Sequence, residues 1–242
     1  ALDKGLDPQK FTDSVSENFR QLSNILNLSN DDFIRTTETR HKNGASYLWK
    51  LLFENGDIYL DEYTGWYSIN DETFYNEKDL IKQNDGSFKT ITGGPVEWIK
   101  EESYFFRLSK YQEKLLDYYN KYPDFILPES KRNEVINFVK GGLKDLSVSR
   151  TSFNWGISVP NDSNHIMYVW LDALTSYPNS ISYLEANQNE MSSFWSNATH
   201  VVGKDILRHH AIYWPAFLIA AKLELPKRIY AHGWWTNEGS KI

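Results

Sequence analysis

The chain has 242 residues, 40% of them hydrophobic, and a net charge of −6. It has ample material for a core and too little positive charge to coat nucleic acid indiscriminately. Zero cysteines exclude disulfides and thiolate metal sites, and no apolar run approaches the roughly 18 residues that a membrane-spanning helix needs.

The opening ALDKGLDPQK has neither an initiator methionine nor a charged-then-apolar signal. The expectation is a cytoplasmic chain that begins inside a longer protein. Ser14–Leu28 has helical spacing (Val15, Phe19, Leu22, Ile25, Leu26) and stops at the polar cluster 29–32. Phe33–Thr37 reads as a strand, and Ala45–Glu54 as a helix closed by Asn55-Gly56.

Tyr59–Glu102 is aromatic and rich in turns, with a hairpin loop at Asn84-Asp85-Gly86 and a break at Gly93-Gly94-Pro95. It reads as an α+β insertion. Ser103–Tyr122 is amphipathic and helical up to Pro123, and Asn133–Lys140 is a second helix stopped by Gly141-Gly142. Leu146–Arg150 alternates like a strand.

From His165 the pattern becomes strand, helix, strand, helix, strand. Ile166–Leu171, Thr199–Val202 and Arg228–Ala231 are the strands, and Ile206–Ala221 is a long buried helix. Such alternation implies a parallel sheet. Trp170 and Asp172, then Gly203, Lys204 and Asp205, then His232, Gly233 and Trp234, fall at the carboxyl ends of those strands, where open α/β sheets bind ligands. Gly203 just before a helix start suits a phosphate.

Ile206, His209, His210, Tyr213 and Trp214 share one face at i, i+3, i+4, i+7 and i+8. Both a pocket wall for a small side chain and ordinary core filling fit that stripe. Pro215 removes a helical hydrogen bond and should kink this helix. Adjacent His209 and His210 should point apart, so no zinc site is expected. Arg150 suits a phosphate or carboxylate, or a structural pair with Asp172 or Asp205. The nine tryptophans fit carbohydrate stacking or, more simply, core filling.

Together, IMYVWLDALTSY (166–177), THVVGKDILRHHAIYWPAFL (199–218) and LPKRIYAHGWWTNEGSKI (225–242) closely resemble the methionyl-tRNA synthetases of the bacterial type. So do LSNDDFIRTTETRH (28–41), NGDIYLDEYTGWYSINDETF (55–74), EESYFFRLSKYQ (101–112) and the stretch 123–160. The resemblance runs in order along the whole chain.

It implies a Rossmann-type parallel sheet split by an α+β connective-peptide insertion. Residues 1–58 would be the remaining part of the first Rossmann half, 59–143 the insertion, and 144–242 the second half up to the K-M-S-K-S loop. Lys241 matches that loop's first lysine, Ile242 stands at its methionine, and the H-I-G-H signature is absent from the chain.

The implied reaction activates methionine with Mg-ATP and passes it to tRNA(Met). Trp170, Ala173, Tyr177, Ile206, His209, His210 and Trp214 would line the methionine pocket. Gly203 and Asp205 would contact the ribose of ATP, the backbone near Trp235 the adenine, and Lys241 the phosphates. Arg150 and Lys241 would support catalysis, Arg150 through Asp205. A monomer is expected, and, without cysteines, no zinc in this segment. His209 departs from the family's usual phenylalanine, Leu174 from the proline of some relatives, and Ser68 from a frequent cysteine.

Two other readings stand beside this one. The chain could be a non-catalytic nucleotide- or RNA-binding module built on the fold. It could also be a class I synthetase for another aliphatic amino acid, although 59–143 is short for an editing domain.

Overall fold

The computed structural model describes residues 1–242 except 69–72, 76, 84, 92, 185–187, 239 and 242, and the backbone alone at 2, 63, 73, 74, 78, 101, 188–192, 240 and 241. Asn84 of the expected hairpin loop and Ile242 therefore lie outside the described residues.

Helix α1 (Pro8–Ile25) begins earlier than its apolar spacing suggests, because Asp7 caps it. The Asp7 carboxylate accepts from the backbone N–H groups of Gln9 and Lys10 at 2.9 and 3.2 Å, and Pro8 needs no helical donor. Its apolar stripe is not core: Phe19 and Ile25 are 58% and 74% exposed. Phe33–Thr37, expected as a strand, has no strand partner among the described residues, and Thr36-Thr37 lie in a turn where the Glu38 N–H donates to the Arg35 carbonyl. A segment without a neighbour to share its N–H and C=O groups is not a strand.

Helix α2 (Thr39–Glu54) buries His41, Gly44, Ala45, Leu48, Trp49 and Leu52 along one face. The stretch expected as an insertion is built on β1 (Ile58–Ser68) and β5 (Glu97–Phe106), antiparallel from Ile58↔Phe106 to Tyr67↔Glu97. Between them lie β2 (Thr73–Tyr75), which lengthens this sheet, and the hairpin β3 (Ile81–Lys82) with β4 (Phe88–Lys89). The helix expected from Ser103 starts late. Ser103–Phe106 are the end of β5, and α3 covers only Gln112–Lys121. The aromatic run Tyr104-Phe105-Phe106 alternates across a pleated sheet, which its residue types favour.

Strand β6 (Ile126–Leu127) was hidden in an apolar tripeptide, and α4 (Glu129–Lys140) ends at Gly141 as expected. The stretch 146–150 divides. β7 (Leu146–Ser147) pairs with β5 at the edge of the first sheet, whereas β8 (Ser149–Arg150) joins a separate antiparallel sheet with β9 (Ser158–Val159) and β10 (Asp162–Met167).

The expected strand 166–171 is thus corrected. It stops at Met167, its neighbours are antiparallel, and Trp170 lies on a short helix, α5 (Val169–Leu174), followed by α6 (Ser176–Ser180) and α7 (Gln188–Asn197). An apolar run of six residues does not distinguish strand from buried helix.

The parallel sheet has the order β11 (Thr199–Gly203), β12 (Arg228–His232), β6. The expected long helix between β11 and β12 is composite: a 3₁₀ turn at Lys204–Ile206, a π-helical segment at His209–Tyr213, and α8 (Trp214–Ala220). Pro215 follows the π segment directly, in the first turn of α8, where a missing N–H is best tolerated. A last hairpin, β13 (Thr236–Asn237) with β14 (Ser240–Lys241), closes the described chain.

Candidate active site

Two strand ends and one helical corner bring the candidate residues together. In the parallel register Gly203 stands beside His232 at the carboxyl edge of β11 and β12. A Cβ on Gly203 would lie 2.5 Å from Asp205 Oδ1, so no larger residue fits unless that carboxylate moves. Lys204 holds its ammonium 3.9 Å above the Trp234 ring, while Trp235 is 77% exposed. This edge offers backbone groups, a cation and an open indole face, which suits a nucleotide. The Lys241 backbone pairs with Thr236, and its side chain lies outside the described residues.

Trp170, Tyr177, His209 and His210 form a wall of aromatic side chains. Within the π segment both imidazoles reach Trp170, and only His210 also reaches Tyr177. His209 stacks on Trp170 with ring centroids 3.7 Å apart and 14° between planes. His210 meets Trp170 edge-on at 6.1 Å and Tyr177 at 5.5 Å. π segments of this kind concentrate at functional sites.

The hydrogen bonds fix the state of His210. Its Nδ1 is 2.8 Å from the carbonyl oxygen of Ile206, which can only accept. Nδ1 therefore carries the proton of the neutral ring, and Nε2 accepts from the Tyr177 hydroxyl at 2.7 Å. Burial lowers the His210 pKa, against an opposing contribution from the Ile206 carbonyl, and burial raises that of Tyr177. His209 is pushed down to about 4, chiefly by burial and then by His210 and Arg208. At neutral pH the wall is polarisable and uncharged, which suits an uncharged side chain.

His200 was missed. It occupies a buried position of β11, stacks on Tyr177 at 4.1 Å, and burial followed by His210 pushes its pKa down to about 3. The alternation His200/Val202 inward and Thr199/Val201 outward was the available signal.

Of the expected residues, Trp170, Tyr177, Ile206, His209 and His210 are directly connected. Ala173 is half-buried, one turn along α5 from Trp170. Trp214 lies deeper, fully buried and edge-on to Trp195 at 6.1 Å. Arg150 is buried on β8. It donates to Ser147 Oγ at 2.7 Å and to the Ser149 carbonyl at 2.6 Å, and its guanidinium lies 4.4 Å over the Tyr168 ring, immediately before α5. Asp205 is exposed. Among the described residues no group of three His, Cys, Asp or Glu side chains could hold a metal.

Comparison with known proteins places this geometry. The family model for "tRNA synthetases class I (M)" matches residues 1–85 and 82–242. The methionine–tRNA ligase of Rickettsia felis is 60% identical over 242 residues, covering 100% of this chain and 46% of the relative. That of Rhizobium meliloti is 53% identical, covering 100% of this chain and 47% of the relative. A Mycobacterium tuberculosis methionyl-tRNA synthetase in complex with methionyl-adenylate superposes with a TM-score of 0.93 at 47% identity, covering 100% of this chain and 48% of that one. The chain spans about half the length of the curated relatives it matches.

Proposed function

Because the chain belongs to the methionyl class I tRNA synthetases, we propose that it forms part of the catalytic region that activates methionine with ATP and charges tRNA(Met). In this reading a methionine carboxylate oxygen attacks the α-phosphorus of ATP, giving methionyl-adenylate and releasing pyrophosphate. A hydroxyl of the terminal tRNA adenosine then attacks the methionyl carbonyl and AMP leaves. No side chain needs to become a covalent intermediate, so alignment and charge stabilisation carry the rate.

The observation that carries the proposal is the ordered relay Ile206 carbonyl, His210, Tyr177, beside the Trp170–His209 stack. It supports a neutral pocket for a thioether side chain next to the nucleotide edge. Trp170, Ala173, Tyr177, Ile206, His209 and His210 line it, and Trp214 backs it from the core. Gly203 and Asp205 take the ribose of ATP, the backbone at Trp235 the adenine, and Lys241 the phosphates, with Mg²⁺ arriving on ATP as part of the substrate. Arg150 supports the site from beneath α5.

Residues 1–58 and 144–242 belong to the two catalytic halves and 59–143 to the insertion. The long β1–β5 ribbon supports that boundary. The protein works as a cytoplasmic monomer. Methionine-dependent exchange of pyrophosphate into ATP, with leucine, isoleucine and valine as controls, tests the assignment. Exchange supported by another amino acid in place of methionine would overturn it.

A further inference from the structure

The helices that carry the aromatic wall are anchored on their other side. Trp170, Ala173 and Tyr177 recur at i, i+3 and i+7 along α5 and α6, which Thr175 joins in right-handed helical conformation. Asp172, Thr175 and Asn179 repeat that spacing two positions later. At about 100° per residue they fall on nearly the opposite side of the helical run.

One residue of α2 closes on that second side. His41 Nε2 donates to Asp172 Oδ1 at 2.5 Å, and the His41 backbone carbonyl accepts from Asn179 Nδ2 at 3.1 Å. The Asp172 carbonyl accepts from the Thr175 hydroxyl at 2.6 Å and from its N–H at 3.2 Å. The Thr175 carbonyl in turn accepts from the Asn179 N–H at 3.2 Å. These bonds close a circuit from His41 through Asp172, Thr175 and Asn179 back to His41. His41, Thr175 and Asn179 are all buried. α2 comes this near only because residue 44 is glycine: a Cβ there would lie 1.9 Å from Asn179 Oδ1.

Burying so much polarity costs more than an apolar contact of the same size would, so packing alone does not account for it. Apolar surfaces let a short helix turn or slide a little, whereas directional hydrogen bonds hold it at one rotation. We propose that His41 is a positioning residue for methionine binding. By bonding α5 and α6 at once, it fixes the rotation at which Trp170 meets His209 and Tyr177 meets His210. It acts through Asp172 and Asn179. The inference rests on the reading of the aromatic wall as the methionine pocket.

The test compares the protein with its His41→Leu and His41→Gln forms. Methionine and ATP affinities are measured by calorimetry, and amide deuterium exchange of residues 169–180 is followed without ligand. His41→Leu removes the donor and should weaken methionine about tenfold, the scale of a buried acceptor left unpaired, with ATP affinity unchanged. His41→Gln, whose amide nitrogen can take the place of Nε2, should recover most of that loss. Exchange over 169–180 should quicken in the leucine form and return in the glutamine form. His41→Asn, polar but too short to reach Asp172, carries the same expectations as His41→Leu and replaces it if that form does not fold. In a double-mutant cycle, Tyr177→Phe should cost less methionine affinity beside His41→Leu than alone, because the hydroxyl is no longer held in place.

The proposal is overturned if His41→Leu and His41→Asn bind methionine as the parent does, if the cycle is additive, or if His41→Gln is as impaired as His41→Leu. Unchanged exchange over 169–180, with methionine bound normally by the parent, sinks the positioning role alone. A parent that binds no methionine, with the exchange responses as expected, sinks the methionine reading and leaves His41 as the anchor of α5 and α6.

Discussion

Tyr177 donates its phenolic proton to Nε2 of His210 across 2.7 Å, and the direction is set from the far side of the ring, where Nδ1 is committed to the Ile206 carbonyl. The Tyr177 oxygen therefore turns its lone pairs, not its proton, toward any further partner. Its orientation is held by the His200 ring stacked on its face.

Removing either end of this bond should affect methionine more than ATP. His210→Ala leaves the Tyr177 hydroxyl without its acceptor and opens the pocket wall. A loss of about tenfold or more in methionine affinity is expected, from a term of about 1–3 kcal/mol. ATP affinity should change little. Paired calorimetric titrations decide this, and equal weakening of both ligands would mean a folding defect.

Trp214→Ala should behave differently, because Trp214 is fully buried against Trp195. The cavity should cost about 3–5 kcal/mol of stability. Urea unfolding should show it before any binding assay does. A variant as stable as the parent would contradict the packing described for α8.

The buried imidazoles make stability depend on acidity. His200 and His209 have folded pKa values of about 3 and about 4, below the ordinary 6.5, because burial disfavours the charged ring. Between those values and 6.5 the unfolded chain binds more protons than the folded one. Stability is then complete above pH 6.5 and falls as pH drops toward 4, by at most about 1.4 kcal/mol per pH unit for each histidine. His200→Phe should flatten the slope of unfolding free energy against pH over this window. An unchanged slope would show that His200 is not buried as a neutral ring.

Gly44→Ala opposes two effects. Alanine favours a helix by about 1 kcal/mol over glycine, but the new methyl would collide with the Asn179 amide. Overpacking of this kind costs about 1–3 kcal/mol. Net destabilisation is expected in thermal melts, and Gly44→Ala combined with Asn179→Ala should recover part of it. Stabilisation by the single substitution would show that the Asn179–His41 contact is loose.

Gly203→Ala should lower pyrophosphate exchange about tenfold while sparing the fold, since the cost falls on Asp205 at the exposed edge, and alignment losses there act on rate. Methionine affinity serves as the internal control. Unchanged exchange would remove Gly203 and Asp205 from the nucleotide site.

The sequence by itself determined the strands β11 and β12, the helices that end at Asn55 and at Gly141, the aromatic, turn-rich stretch after Tyr59, and the candidate residues that follow β11 and β12. These features follow from local periodicity and turn chemistry, which nearby residues decide. The family motifs nominated the candidate residues because type and spacing are themselves sequence properties. What only the tertiary structure decided depends on partners distant in the chain. Phe33–Thr37 has strand composition but no strand partner among the described residues, and Met167 ends a strand that the apolar run carried on to Leu171. His209 and His210 share the face that the 3.6-residue count gives them, but the partners they meet there, Trp170 for both and Tyr177 for His210, lie on other helices. His200, and the linkage from Gly44 through Asn179 and His41 to Asp172, were invisible for the same reason. Their roles arise from contacts spanning up to 138 residues of sequence, which no local pattern encodes.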